Sequence, residues 1–145
     1  MLTTKWGEAL DREHPLPEYP RPQLRRESFL NLNGVWQYAV STLNSEPEEY
    51  DGDIVVPFPL ESELSGVGRV LQPGEYLWYR REVTLPEDFN VGRVLLHFGA
   101  VDQCARVWVN GMDACTHTGG YLPFSADITD LLFEGENTLV VRVTD

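Results

Sequence analysis

The chain has 145 residues, 42% of them hydrophobic and 23% charged, with 11 Lys and Arg against 23 Asp and Glu and a formal net charge of −12. That is the composition of one ordinary globular domain, and its sign repels phosphate backbones and anionic membranes, so neither nucleic acid nor membrane is an expected partner. No apolar run approaches the ~18 residues that span a bilayer, and a complete (β/α)₈ barrel needs more than about 200 residues.

The first residues, Met1 to Glu8, hold no apolar stretch before charges and a tryptophan intervene. They do not read as a secretory leader, so a cytoplasmic location is expected. Two cysteines, Cys104 and Cys115, suit a reducing compartment better than a disulfide scaffold. Residues 1–27 read as an arm. His14 to Pro22 places four prolines in nine positions, which predicts an extended run of polyproline character.

The next stretch, Phe29 to Val40, reads as a first strand, turned at Asn33-Gly34. Apolar groups fall on both of its faces, so it is expected to be covered on both sides. Residues 41–53 form an acidic surface loop whose Asp spacing does not match an EF-hand calcium loop. Ile54–Val56 is a short strand ended by Pro57, and a long Gly-, Ser- and Pro-rich connection runs from Pro57 to Gly74. Connections of that length in compact domains are often functional. Tyr76–Leu85, Arg93–Phe98 and Ala105–Val109 are further strands.

Asn110-Gly111 between apolar runs predicts a two-residue hairpin turn, because both residues tolerate positive φ. A regular ladder from that turn sets Val109 opposite Met112, Arg106 opposite Cys115 and Cys104 opposite His117. The cysteines would then be diagonal neighbours on one face, a geometry that disfavours a disulfide. Cys104 with His117 could supply half of a zinc site, but no second pair stands at ligand spacing, and neither metal nor cofactor is expected. Residues 121–129, a turn-like Asp130–Phe133 and a strand Thr138–Val143 complete the chain. About eight short strands with no long amphipathic helix predict an all-β sandwich.

The second half carries a family resemblance. Val94-Leu-Leu-His-Phe-Gly-Ala-Val-Asp102, Val107-Trp-Val-Asn-Gly111, His117-Thr-Gly-Gly-Tyr-Leu-Pro-Phe124 and Gly135-Glu-Asn-Thr-Leu-Val-Val-Arg-Val143 resemble the N-terminal sugar-binding domain of glycoside hydrolase family 2. Leu32-Asn-Gly-Val-Trp36, Val56-Pro-Phe-Pro59 and Trp78-Tyr-Arg-Arg81 agree in order. The stretch from His117 is more like the β-glucuronidase branch than the large β-galactosidase branch.

The resemblance implies a jelly-roll sandwich of the galactose-binding-like type, residues 28–145, expected to lack its last strand. It implies a parent glycosidase with an immunoglobulin-like domain and a catalytic barrel whose two glutamates do the chemistry, acting on a β-glycoside. No catalytic residue is then expected in this chain. Glu61, Glu63, Glu75 and Glu82 are of the right type for paired carboxylates, but surface carboxylates explain them better. No Gly-x-Ser-x-Gly elbow, phosphate loop or dinucleotide fingerprint occurs.

A sugar site wants an aromatic face with flanking polar groups. Trp36 and Trp108 sit mid-strand and read as core. Tyr121, after the flexible pair Gly119-Gly120, and His117 are candidate rim residues, together with Glu61 and Arg69 on the long connection. In the β-galactosidase branch the loop at Tyr121 carries an aspartate that reaches the active site; the matching position here is Gly119, so that contact does not carry over. Two functions follow: a non-catalytic domain that shapes an active-site rim and braces a barrel, or a free-standing carbohydrate-binding module. A sandwich with an open strand edge is also expected to self-associate as a homo-oligomer.

Overall fold

The computed structural model describes residues 4–145. Among them are eight strands: β1 Gly34–Ser41, β2 Gly52–Val56, β3 Tyr76–Thr84, β4 Leu95–Phe98, β5 Cys104–Val109, β6 Met112–Thr118, β7 Phe124–Asp127 and β8 Glu136–Thr144. One four-residue helix, α1 Lys5–Glu8, and three single 3₁₀ turns complete the regular structure. The large sheet runs β2-β1-β3-β8-β5-β6, and β4 pairs with β7 in a second, two-stranded sheet. The all-β sandwich expected from the sequence is the observed architecture.

The chain forms two compact units, one drawing on residues up to Trp36 and on Asp53–Val70, the other on Gln37–Gly52 and Leu71–Asp145. In the second unit β8 is the central strand. It is antiparallel to β3 on one side, with Tyr79 opposite Val141, and to β5 on the other, with Val107 opposite Val141. Leu139, Val141 and Val143 alternate with Val140 and Arg142, as a pleated strand requires. The first set is buried with Leu77, Ala105, Val107 and Val109, and so are Leu96 and Ala126 of the small sheet. His117 of β6 stacks on Phe124 of β7, with ring centroids 4.3 Å apart.

The opposite face of the large sheet is also apolar. Ala39, Trp78 and Val140 form a buried cluster there, with Tyr50, Tyr76 and Trp108 packed against it. The acidic loop supplies Tyr50. Asp51 ties that loop down: its amide donates to the Tyr38 carbonyl at 2.8 Å and its carboxylate accepts the Val40 amide at 2.8 Å. Covering on both faces is the reason this sheet does not show a simple apolar–polar alternation. Trp108, expected in the core, is only half-buried; it stacks on Trp78 at 5.7 Å.

The first unit differs from the extended arm the prolines predict. Leu16 has φ +50° and bends the run. Pro15 is fully buried. The Asn31 and Asn33 side-chain amides donate to the Leu16 and Pro15 carbonyls at 3.0 and 3.4 Å. Prolines leave carbonyls with no ladder partner, and the two asparagines satisfy them. This use of residues 31–33 also delays β1, which starts at Gly34 rather than at Phe29. Helix α1 is capped by Thr4, whose hydroxyl accepts the Gly7 amide at 3.2 Å; four residues are too few to leave a periodic signal.

The Asn110-Gly111 hairpin forms as predicted, with Val109 opposite Met112 and Trp108 opposite Asp113. Beyond that the register departs from a regular ladder. A β-bulge leaves Ala114 unpaired, so Cys115 opposes Val107, Thr116 opposes Arg106, His117 opposes Ala105 and Thr118 opposes Cys104. One extra residue shifts everything after it by one position. Cys115 and His117 therefore share the face of Val107 and Ala105, and Cys104 lies on the other. The predicted pairing of Cys104 with His117 is not made. Both cysteines are free, and burial, then the Asp113 carboxylate, pushes the Cys115 thiol up from its ordinary value.

Candidate functional site

His117 and Tyr121 lie in the second unit, on the β6 end and the loop that follows it. The Gly119 amide donates to the Gln103 carbonyl at 2.8 Å. The Gly119 carbonyl lies 3.1 Å from His117 Nε2. A carbonyl only accepts, so Nε2 carries the hydrogen. Gly119 itself sits at φ +126°, a region that glycine reaches without strain. The Asp102 carboxylate occupies the place where a Cβ on Gly120 would project. A loop expected to be flexible is thus held at two consecutive residues.

Aromatic stacking extends the support. The His117 and Phe124 rings are near-parallel at an interplanar angle of 13°, and Phe124 stacks on Phe98 at 4.7 Å and 13°. On this base Tyr121 is 94% exposed and Leu122 is 68% exposed. An aromatic ring standing free on a braced backbone is a contact surface with little ordering cost on binding. The residue that sequence reasoning missed is Asp102. Its signal was present in the quoted Gly-Ala-Val-Asp motif, but its contact with Gly120 depends on the fold.

Glu61 and Arg69 lie in the first unit, and both are exposed. The connection that carries them is built, not loose. Ser62 caps a 3₁₀ turn by accepting the Leu64 amide at 3.2 Å. Ser65, fully buried, donates to the Ser62 carbonyl at 2.6 Å and accepts the Val67 amide at 3.1 Å. The Arg69 amide closes the segment on the Leu60 carbonyl at 3.2 Å. The four sequence candidates thus fall in two pairs, one in each unit.

Other chemistry has little to work with. Among the described residues no three His, Cys, Asp or Glu side chains are placed to hold a metal ion. His97 Nδ1 lies 2.5 Å from Ser125 Oγ on the exposed face of the small sheet. The carboxylate two positions on, Asp127, is committed to Arg93 at 2.8 Å and to Thr129. Glu82 is engaged by Arg80 at 2.8 Å and by Thr138 at 2.9 Å, and Glu75 caps the Gln72 amide at 2.9 Å. No helix among the described residues is long and apolar enough to cross a membrane.

Residues 48–145 match the family described as glycosyl hydrolases family 2, sugar binding domain. The chain is 31% identical to the human β-glucuronidase over 155 residues, which takes in 96% of this chain and 24% of that one. A solved β-glucuronidase of Faecalibacterium prausnitzii matches with a TM-score of 0.65 at 32% identity, over 86% of this chain and 22% of that one. A β-D-mannosidase of Dictyoglomus thermophilum has the same fold, with a TM-score of 0.65 at 22% identity over 79% of this chain and 15% of that one. The chain therefore spans about a quarter of the length of the curated relatives it matches.

Proposed function

We propose that this chain, which belongs to glycosyl hydrolases family 2 through its sugar binding domain, is the non-catalytic N-terminal domain of a longer β-glycosidase. In this reading a catalytic barrel and an immunoglobulin-like domain follow it, and the substrate is a β-glycoside. The β-glucuronidase type is preferred over the β-galactosidase type, because two of the relatives above are β-glucuronidases. The domain, residues 28–145, braces the barrel and contributes to the active-site rim, with residues 1–27 as an arm. Tyr121 and His117 are the rim residues proposed in the second unit, and Glu61 and Arg69 those proposed in the first. The free thiols suit a cytoplasmic setting, and the parent assembles as a homo-oligomer.

The observation that carries this reading is the Tyr121 loop. Its backbone is fixed by Gln103, His117 and Asp102, and its ring is left open. A side chain that packs against nothing in its own domain contributes nothing to that domain's core. A group presented in this way gains its interactions from a bound sugar or from the neighbouring barrel.

The test is hydrolysis of 4-nitrophenyl β-D-glucuronide, β-D-galactoside and β-D-mannoside by the full-length parent carrying Tyr121 or Tyr121→Ala. The expected result is turnover of the glucuronide and a KM raised about tenfold by the substitution, a loss of ~1.4 kcal/mol of binding. Unchanged KM and kcat for Tyr121→Ala remove Tyr121 from the rim. Turnover of none of the three by the parent points instead to the alternative, a carbohydrate-binding module with no enzyme attached.

A further inference from the structure

We propose a second carbohydrate site, for a neutral pyranoside, in the cavity formed within residues 17–29. The cavity has a volume of about 460 Å³ and is walled by Glu18, Tyr19, Arg25, Arg26, Glu27 and Phe29. That volume lies in the range of small-molecule sites. It belongs to the first unit and falls outside residues 48–145, the part that matches the family. The proposal does not rest on the glycosidase reading of the Tyr121 loop.

The lining selects the ligand. Tyr19 and Phe29 meet edge to face, with centroids 4.6 Å apart and planes at 61°, so each ring holds the other in place. Arg25, Arg26, Glu18 and Glu27 line the same opening and are themselves exposed, and among the described residues no ion pair joins them. A bare anion entering this cavity would meet Glu18 and Glu27. An apolar ligand would cover the rings but make no use of the four charged side chains at the opening. A polyol suits all of them: its hydroxyls donate to carboxylates and accept from guanidiniums, and its C–H face packs on an aromatic ring. The lining carries no net charge, so the fit is to a neutral sugar rather than to a uronate.

The test is a two-dimensional amide NMR titration of the 145-residue chain with methyl β-D-glucopyranoside, methyl β-D-galactopyranoside, methyl β-D-glucuronide and inorganic phosphate. Saturable shifts at Tyr19, Arg26 and Glu27 are expected with a neutral pyranoside, at millimolar affinity, with the glucuronide weaker. Tyr19→Phe tests the ring alone and should bind like wild type, whereas Tyr19→Ala and Arg26→Ala should each weaken binding at least tenfold. Tyr121→Ala should leave these shifts unchanged. Three results overturn the site: no saturable shift within residues 17–29 up to about 100 mM sugar, sugar shifts confined to the Tyr121 loop, or saturation by phosphate but by no sugar.

Discussion

The side-chain amide of Asn110 donates to the side-chain oxygen of Asn137 at 2.8 Å. Through this contact the β5–β6 turn is tied to the segment that leads into β8. Asn110 also donates to the Leu131 carbonyl at 2.8 Å and accepts the Thr138 amide at 2.9 Å. Asn137, 1% exposed, accepts the Phe133 amide at 2.8 Å and donates to the Phe133 and Gly135 carbonyls at 3.0 and 3.1 Å. Asn110 is therefore needed twice over. Its backbone takes the positive φ of the turn, at 52°, and its amide enters a buried network that no other turn residue could complete.

Asn137→Ala should lower stability by about 2–4 kcal/mol, because it orphans the Phe133 amide and part of the Asn110 amide inside the protein. Urea unfolding should show a lower midpoint with an unchanged slope. Asn110→Gly keeps the turn conformation and removes the same contact. The double variant should therefore lose less than the two single losses added together. Additive losses would mean that the two asparagines act independently.

Gly120→Ala should destabilise the loop after β6 for a steric reason alone. Its new Cβ would collide with the Asp102 carboxylate. Gly120 carries no positive φ, in contrast to Gly119 at +126°, so backbone strain is not part of the cost. A loss of about 1–2 kcal/mol is expected, and Asp102→Gly in the same chain should restore most of it. Gly119→Ala should not be rescued by any change at Asp102. Thermal unfolding of the four variants separates these outcomes.

Much of this molecule was legible before its structure. The two-residue turn at Asn110-Gly111 and the strands around it follow from residue types that need no long-range information. The β8 alternation of Leu139, Val141 and Val143 with Val140 and Arg142 was equally plain. What could not be read was a single inserted residue. Ala114 has no feature that marks it as unpaired, yet it moves Cys115 and His117 to the opposite face from the one a regular ladder gives them. The bracing of Gly120 by Asp102 was hidden for a related reason, since 18 positions of chain separate two residues that only the sheet brings together. A Gly-Gly pair read by itself says flexible; the same pair against a carboxylate and two hydrogen bonds is fixed.

Asp127 should make the small sheet sensitive to acid. The Thr129 hydroxyl, then Arg93, holds its carboxyl below the usual range, at about 2. A carboxyl depressed in the folded state binds its proton more weakly there than in the unfolded chain. Its contribution is therefore present above the ordinary aspartate value near 4 and is lost as pH falls toward about 2. The melting temperature of Asp127→Asn should accordingly fall less than that of the wild type between those two values. Raising salt should erase only the Arg93 part, because that pair is exposed and screened while the Thr129 bonds are not. Parallel acid melts of the two proteins would contradict the assignment.

Two single-residue deletions in β6 should have opposite consequences. Removing Ala114 takes out the bulge and nothing else: Trp108 stays opposite Asp113, and Val107 stays opposite Cys115. His117 then keeps its stack on Phe124 and its bond to Gly119. The cost should be the lost local twist, about 1 kcal/mol. Removing Thr116 leaves Cys115 in register and slides His117 into the position opposite Arg106, on the other face of the sheet. The stack, the Gly119 bond and the support beneath Tyr121 would all go at once. Ring-current-shifted His117 proton resonances should survive the first deletion and vanish with the second, whose melting temperature should fall well below that of the first. If deleting Ala114 proves as damaging as deleting Thr116, the bulge itself sets the path of β6, and the extra bend, rather than the face on which His117 lies, is what positions the Tyr121 loop.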